Sequence, residues 1–227
     1  MAQDQEKKIA AEASLKYVRE GQVVGLGSGS TATLAIRALA ARVRAGLNIR
    51  GIPTSQHSRE LALELGIPLI TFEDAQQIDV TIDGADEFDP DLNLIKGGGG
   101  ALLREKIVAS ATRQEVIVTD SSKQVAVLGK FPLPIEVIKF AQPLVAKRIA
   151  ALGAICVLRR DTAGEPYVTD EGNHILDCRF GEISEPAKMA RTLSEIPGIV
   201  EHGLFINMAS VVLMAKGNQV IELRRPT

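Results

Sequence analysis

Four stretches of this sequence gather glycine with hydroxyl, carboxylate or ammonium groups. In Gly25-Leu-Gly-Ser-Gly-Ser-Thr31 an apolar run gives way to a helical pattern, so backbone N–H groups and two hydroxyls, those of Ser30 and Thr31, can face an anion. A phosphate is the natural guest. The helix dipole contributes only about 0.3–1 kcal/mol, up to roughly 2 when partly buried, so hydrogen bonds must supply most of the affinity. In Thr81-Ile-Asp-Gly-Ala-Asp-Glu87, the small residues Gly84 and Ala85 separate the carboxylates of Asp83 and Asp86, which suits close approach by a polyhydroxylated ligand. Lys96 is followed by Gly97, Gly98, Gly99 and Gly100 and then by Glu105: an ammonium and open amides for an oxygen that turns negative, and a carboxylate to move a proton. Asp120-Ser-Ser-Lys123 supplies a further ammonium.

Each stretch also has a plainer meaning when taken singly: a glycine turn capped by Ser30, a solvated acidic loop, a helical glutamate paired with Arg104 or Lys106, a surface lysine. Rival motifs fail on their spacing. A dinucleotide fingerprint needs glycine where Ser30 stands and an acidic residue near Ile49–Pro53, and the Walker pattern lacks its Gly-Lys-Ser/Thr. Asp89, Asp91 and Asn93 imitate the start of a calcium loop, but Leu94 replaces its glycine and Gly100 its bidentate glutamate. His57, His174 and His202 have no metal-ligand spacing, and Arg159-Arg160 and Arg224-Arg225 are short basic pairs to which no function is assigned.

The elements that must position these groups follow from periodicity. Ile9, Ala10, Ala13, Tyr17 and Val18 predict an amphipathic helix over 3–20. Strands are expected at Val23–Leu26, Asn48–Ile52, Pro68–Phe72, Ile78–Ile82 and Glu115–Thr119, with helices near Ala32–Ala45, Gln56–Leu65 and Leu102–Thr112. This alternation predicts an α/β fold, a Rossmann-like, mostly parallel sheet flanked by helices. In such a sheet the loops carrying the four stretches emerge along one edge and join into one polar site.

The prolines of Phe131-Pro-Leu-Pro134 read as a hinge. Beyond them, strands at Ile135–Lys139, Ala154–Arg159, His174–Cys178 and Ile199–Leu204, with helices at Pro143–Leu152 and Pro186–Glu195, predict a smaller α+β, ferredoxin-like lobe, with an extra strand at Tyr167–Thr169. A hairpin around Gly217-Asn218 is expected to rejoin the first domain. The expected division is therefore 1–130 with 208–227, and 131–207.

With 26 basic and 28 acidic residues, a formal charge of −2 offers no broad positive field for nucleic acid or an anionic membrane. No apolar run approaches the roughly 20 residues of a membrane span, so a cytoplasmic protein is expected. Cys156 and Cys178 lie in strand-like segments without metal or redox spacing and read as buried thiols.

In this order and at these intervals, Gly25–Thr31, Asp83-Gly-Ala-Asp-Glu87, Lys96–Gly100 with Arg104-Glu-Lys106, and Gly129-Lys-Phe-Pro-Leu-Pro134 resemble ribose-5-phosphate isomerase, type A, over nearly the whole chain. The resemblance implies interconversion of D-ribose 5-phosphate and D-ribulose 5-phosphate in the non-oxidative pentose phosphate pathway, without cofactor or required metal, by a homodimer or tetramer. It assigns Glu105 as proton acceptor and Asp83 to ring opening. Ser28–Thr31, Asp83–Asp86, Lys96–Gly99 and Lys123 become substrate-binding segments, and Lys7 is brought towards the phosphate. Two departures stand out: Ser28 where the family favours threonine, and His202 where asparagine is common. Other readings stay open on the residues alone: a sugar-phosphate sensor without turnover, a CoA transferase of related architecture with a covalent glutamate, or a Schiff-base enzyme using Lys96 or Lys123.

Overall fold

The structure, a computed structural model, describes residues 2–225. The chain runs through α1 (Ala2–Ser14), β1 (Val23–Leu26), α2 (Gly29–Arg44), β2 (Arg50–Pro53), α3 (Gln56–Glu64) and β3 (Ile78–Asp83). Short strands β4 (Glu87–Phe88) and β5 (Leu94–Ile95) precede α4 (Leu102–Ser110) and β6 (Thr112–Asp120). Next come β7 (Leu133–Val137), α5 (Gln142–Ala151), β8 (Ile155–Leu158), β9 (His174–Arg179), α6 (Pro186–Ser194), β10 (Ile199–His202) and β11 (Leu204–Phe205). The hairpin β12 (Val211–Lys216) and β13 (Gln219–Arg224) ends the series. Two compact units result: residues 1–85, 104–123 and 208–227, and residues 86–103 and 124–207.

The first unit is built on one six-stranded sheet in the order β13-β12-β6-β3-β1-β2. All pairings are parallel except the terminal hairpin, whose β12 lies beside β6 as expected of a returning segment. Successive side chains of β1 serve opposite faces: Val24 and Leu26 join Leu39, Val80, Val116 and Leu213, whereas Val23 packs with Ile52, Ile78 and Val108. Burial on both faces explains why this strand reads as a continuous apolar run. Going from β2 to β12, the parallel strands have the order 2-1-3-4-5 when numbered within the sheet, so the winding reverses between β1 and β3.

Two expectations for this unit need correction. The helix predicted over 3–20 ends at Ser14, where the Ser14 hydroxyl bonds back to Ala11 O at 2.6 Å, and a single 3-10 turn, Leu15–Tyr17, follows. Pro68–Phe72 is no strand, only a single bridge between Gly51 and Leu69, because the Thr71 N–H turns to Asp74 Oδ2 at 2.9 Å and closes a turn.

In the second unit a four-stranded antiparallel sheet has the order β10-β7-β9-β8, the 4-1-3-2 arrangement of a βαββαβ lobe. Its core joins Leu133, Ile135, Val145, Ile149, Leu176, Cys178 and Leu193. A further small sheet, β11-β5-β4, carries Lys96 at the end of β5. The segment expected as a hinge is tied down: Glu87 accepts from the N–H groups of Gly129 at 2.8 Å and Phe131 at 2.5 Å, and Pro134 lies within β7 opposite Asp177. Being near the start of its strand, Pro134 removes only one donor, and its carbonyl still accepts from Gly203 N–H at 2.7 Å. Tyr167–Thr169 is not a strand either, since Thr169 N–H closes a turn onto Asn173 O. Cys156 and Cys178 are free thiols facing one another across β8 and β9, and burial raises both pKa values.

Candidate active site

In the first unit the loops after β1, β3 and β6 leave neighbouring parallel strands at the same sheet edge, and the first two straddle the point where the winding reverses. Backbone contacts lock them together. Gly27 N–H donates to Ile82 O at 3.0 Å, and the N–H groups of Ser28 and Gly84 both reach Asp83 Oδ1, at 2.9 and 2.7 Å. Only glycine fits at 27, where a Cβ would lie 2.5 Å from Ile82 O and 2.6 Å from Asp83 Cα. Gly29 opens α2 at φ +88°, backbone that other residues rarely adopt.

A hydroxyl cluster supports the same loop. Ser28 Oγ lies 2.7 Å from both Thr54 Oγ1 and Ser55 Oγ, and Ser55 caps α3 through a reciprocal bond pair with Ser58. Ser30 and Gly29 face solvent at the start of α2, whereas Thr31 is buried. Asp83 is buried as well, with Gly84 and Ala85 half-buried beyond it.

Lys123 ends the 3-10 turn Ser121–Lys123 after β6 and is half-buried. Its turn has two anchors. Asp120 Oδ1 accepts from both the N–H and the hydroxyl of Ser122. Glu6 of α1 accepts from Ser121 N–H at 3.0 Å and Ser121 Oγ at 2.9 Å, while its other oxygen accepts from Gly217 N–H at 2.7 Å. The backbone donors of Ser121 and Gly217 hold the Glu6 carboxyl below the usual carboxylate range. The pattern around Glu6 signals only an amphipathic helix. No local spacing signals a contact with residues 115 and 211 positions away. Lys7 lies beside Glu6 on α1, half-buried. Glu105 lies in the first turn of α4 and is 5% exposed.

In the second unit Asp86 and the glycine loop meet directly. Gly98 N–H donates to Asp86 Oδ2 at 2.7 Å, and Asp86 N–H donates to Ile95 O at 2.8 Å. Lys96 is 2% exposed, bonds through its N–H to Gly203 O at 2.9 Å, and holds its ammonium 5.5 Å from the centre of the Phe205 ring. Three of the four glycines are required by space or backbone. A Cβ would come within 2.8 Å of Leu102 Cβ at Gly97, 2.6 Å of Asp86 Oδ1 at Gly98 and 2.6 Å of Tyr167 Cζ at Gly100, and Gly97 and Gly100 have φ of +97° and +89°. Gly99 is exposed, and a Cβ there would meet nothing within 4 Å.

His202 lies in β10, its Nδ1 accepting from Leu204 N–H at 3.3 Å and its Nε2 3.3 Å from Ser194 Oγ on α6. It serves the packing of the lobe. Asp89 accepts from the N–H and the side-chain amide of Asn93, at 2.8 and 2.9 Å, and so shapes a turn. Among the described residues no three His, Cys, Asp or Glu side chains are grouped to hold a metal ion, and no helix is long and apolar enough to cross a membrane.

Comparison with known proteins finds relatives over nearly the whole chain. Among curated proteins, ribose-5-phosphate isomerase A of Roseiflexus castenholzii is 50% identical over 223 residues, covering 97% of this chain and 95% of that protein. The protein of the same name from Sphingopyxis alaskensis is 49% identical over 215 residues, covering 95% and 94%. A solved D-ribose-5-phosphate isomerase in complex with phospho-erythronic acid superposes with a TM-score of 0.97 at 38% identity, covering 99% of this chain and all of that one. The enzyme from Methanocaldococcus jannaschii gives 0.92 at 40% identity, covering 96% and 97%. The family model for ribose 5-phosphate isomerase A (phosphoriboisomerase A) matches residues 50–219, and the chain belongs to that family.

Proposed function

We propose that this chain interconverts D-ribose 5-phosphate and D-ribulose 5-phosphate through a cis-enediolate, as a step of the non-oxidative pentose phosphate pathway. The observation that carries the reading is Glu105: a buried carboxylate in the first turn of α4, directly after the Lys96–Gly100 loop, in a chain half identical end to end to isomerases of that name. In the open-chain aldose the C1 carbonyl acidifies the proton on C2. Glu105 removes it and returns it to C1, while a second proton passes from O2 to O1, so the product is an isomer and no electrons are exchanged. One positioned carboxylate contributes about 10²–10⁴-fold.

The remaining acceleration requires charge stabilisation, which we assign to Lys96 and the open amide of the glycine loop. Asp83 acts on the ring oxygen or the anomeric hydroxyl in opening the furanose. The amides and hydroxyls of Ser28–Thr31, with Lys123 and Lys7, hold the phosphate, and Gly84, Ala85 and Asp86 line the sugar. The ligand of the solved relative supports this chemistry, because its carboxylate resembles the planar, charged end of an enediolate. On the same reading the protein works in the cytoplasm as a homodimer or tetramer.

The test is direct detection of ribulose 5-phosphate formed from ribose 5-phosphate by purified, chelator-treated protein. Turnover supports the isomerase; tight binding of the sugar phosphate without turnover would overturn it in favour of a sensor.

A further inference from the structure

We infer that Arg159, held by Asp177, is a positioning residue that sets the direction of the glycine-loop amides, an inference resting on the isomerase reading above. Its side chain is only 13% exposed. Nε and Nη2 grip both oxygens of Asp177, at 3.0 and 2.5 Å, and Nη1 donates to two consecutive peptide oxygens, Gly97 O at 2.9 Å and Gly98 O at 3.1 Å. An ordinary ion pair leaves its third nitrogen to water; here the planar fork spans a carboxylate on one side and the loop backbone on the other. Arg159 lies next after β8 and Asp177 is in β9, so the clamp is mounted on the lobe's sheet.

The consequence follows from peptide geometry. In a trans peptide the N–H points opposite to the C=O. Fixing Gly97 O and Gly98 O on Arg159 therefore turns the N–H groups of Gly98 and Gly99 away from it. Asp86 Oδ2 takes the first. The second has no partner among the described residues, and Gly99 is exposed. Tyr167 backs the same loop, with its ring centre 5.9 Å from Arg159 Cζ. The loop thus presents one oriented donor, Gly99 N–H, suited to an oxygen that gains negative charge. Without the clamp, four successive glycines have too much freedom to hold that direction.

Arg159→Ala should lower kcat by about 10²-fold, the effect of losing one preorganised donor, with KM for ribose 5-phosphate changed less than about threefold. It should weaken inhibition by phospho-erythronic acid by a similar factor, because on this reading the carboxylate of that anion takes the place of the enediolate at the same donor. Guanidinium ion at low, non-denaturing concentration should restore part of kcat, and Arg159→Lys should recover less than half, since one ammonium cannot span the four oxygens of Asp177, Gly97 and Gly98 that the planar fork holds. Asp177→Asn should act in the same direction, and the double variant should be no worse than Arg159→Ala. A merely structural role would reduce the amount of active enzyme and leave the inhibition constant unchanged; that result, or a normal kcat, overturns the inference. Amide exchange of Gly98, whose N–H is bonded to Asp86, in ligand-free protein gives an independent decision. It should rise at least tenfold in Arg159→Ala, and unchanged exchange overturns the positioning role even if wild type proves inactive, which would sink only the isomerase reading.

Discussion

Ser28 N–H donates to Asp83 Oδ1 at 2.9 Å, joining the loop after β1 to the end of β3 across the point where the sheet reverses its winding. Asp83 is therefore a strut, beside the role in ring opening proposed for it. Asp83→Asn keeps an amide oxygen for Ser28 and Gly84 and should leave stability within about 1 kcal/mol while lowering kcat. Asp83→Ala strands two backbone donors and should cost about 1–3 kcal/mol. Denaturant unfolding of the two variants beside their kinetics separates the roles.

Glu105→Gln retains shape but cannot accept a proton. We expect kcat to fall by about 10²–10⁴-fold with KM nearly unchanged, measured by initial rates at saturating and limiting substrate. Turnover near wild type would remove Glu105 from the mechanism.

Ser30→Ala and Lys123→Ala act on the ground state. If they hold the phosphate, KM should rise several-fold with kcat kept within about threefold, and affinity for inorganic phosphate as a competitive inhibitor should fall in parallel. A normal KM in both rejects this placement.

Gly27→Ala drives a methyl group into the backbone of β3, 2.5 Å from Ile82 O. A clash with backbone cannot be relieved by a rotamer change, so the variant should lose about 1–3 kcal/mol and raise KM through displacement of the anion loop. Thermal unfolding and KM should shift together.

Glu6 provides the pH test. Its folded pKa lies below the usual value because Ser121 and Gly217 N–H groups bond the charged form. Its contribution is thus complete above the unfolded glutamate value of about 4.3 and is lost as pH falls through the folded pKa. Stability measured against pH should fall less steeply below about pH 4.5 in Glu6→Gln than in wild type, and at pH 7 the variant should be the less stable.

Where residues form local patterns, structure and sequence agree closely: β1 spans Val23–Leu26 as read, and the last hairpin turns at Gly217-Asn218. Failures occur where a distant partner decides. Pro68–Phe72 has strand composition, but Asp74 captures the Thr71 N–H and only one bridge forms. The strands β4 and β5 have two residues each, too short for any period to show. Among the site groups, the glycines and carboxylates announced themselves by unusual local composition. Arg159 did not, because its purpose lies in the carbonyls of Gly97 and Gly98, some sixty residues earlier, which no spacing around Arg159 encodes.

The return of the chain to β12 sets an order on biosynthesis. Strands β6 and β12 are neighbours in the sheet, yet about ninety residues separate them in sequence. While the chain grows, one edge of β6, with its run of Val116, Ile117 and Val118, has no strand to pair with until β12 has left the ribosome. The nascent protein therefore carries an apolar, hydrogen-bond-hungry edge while the ninety or so intervening residues are made. Loss of β12 and β13 by premature termination should yield aggregates rather than a smaller folded protein.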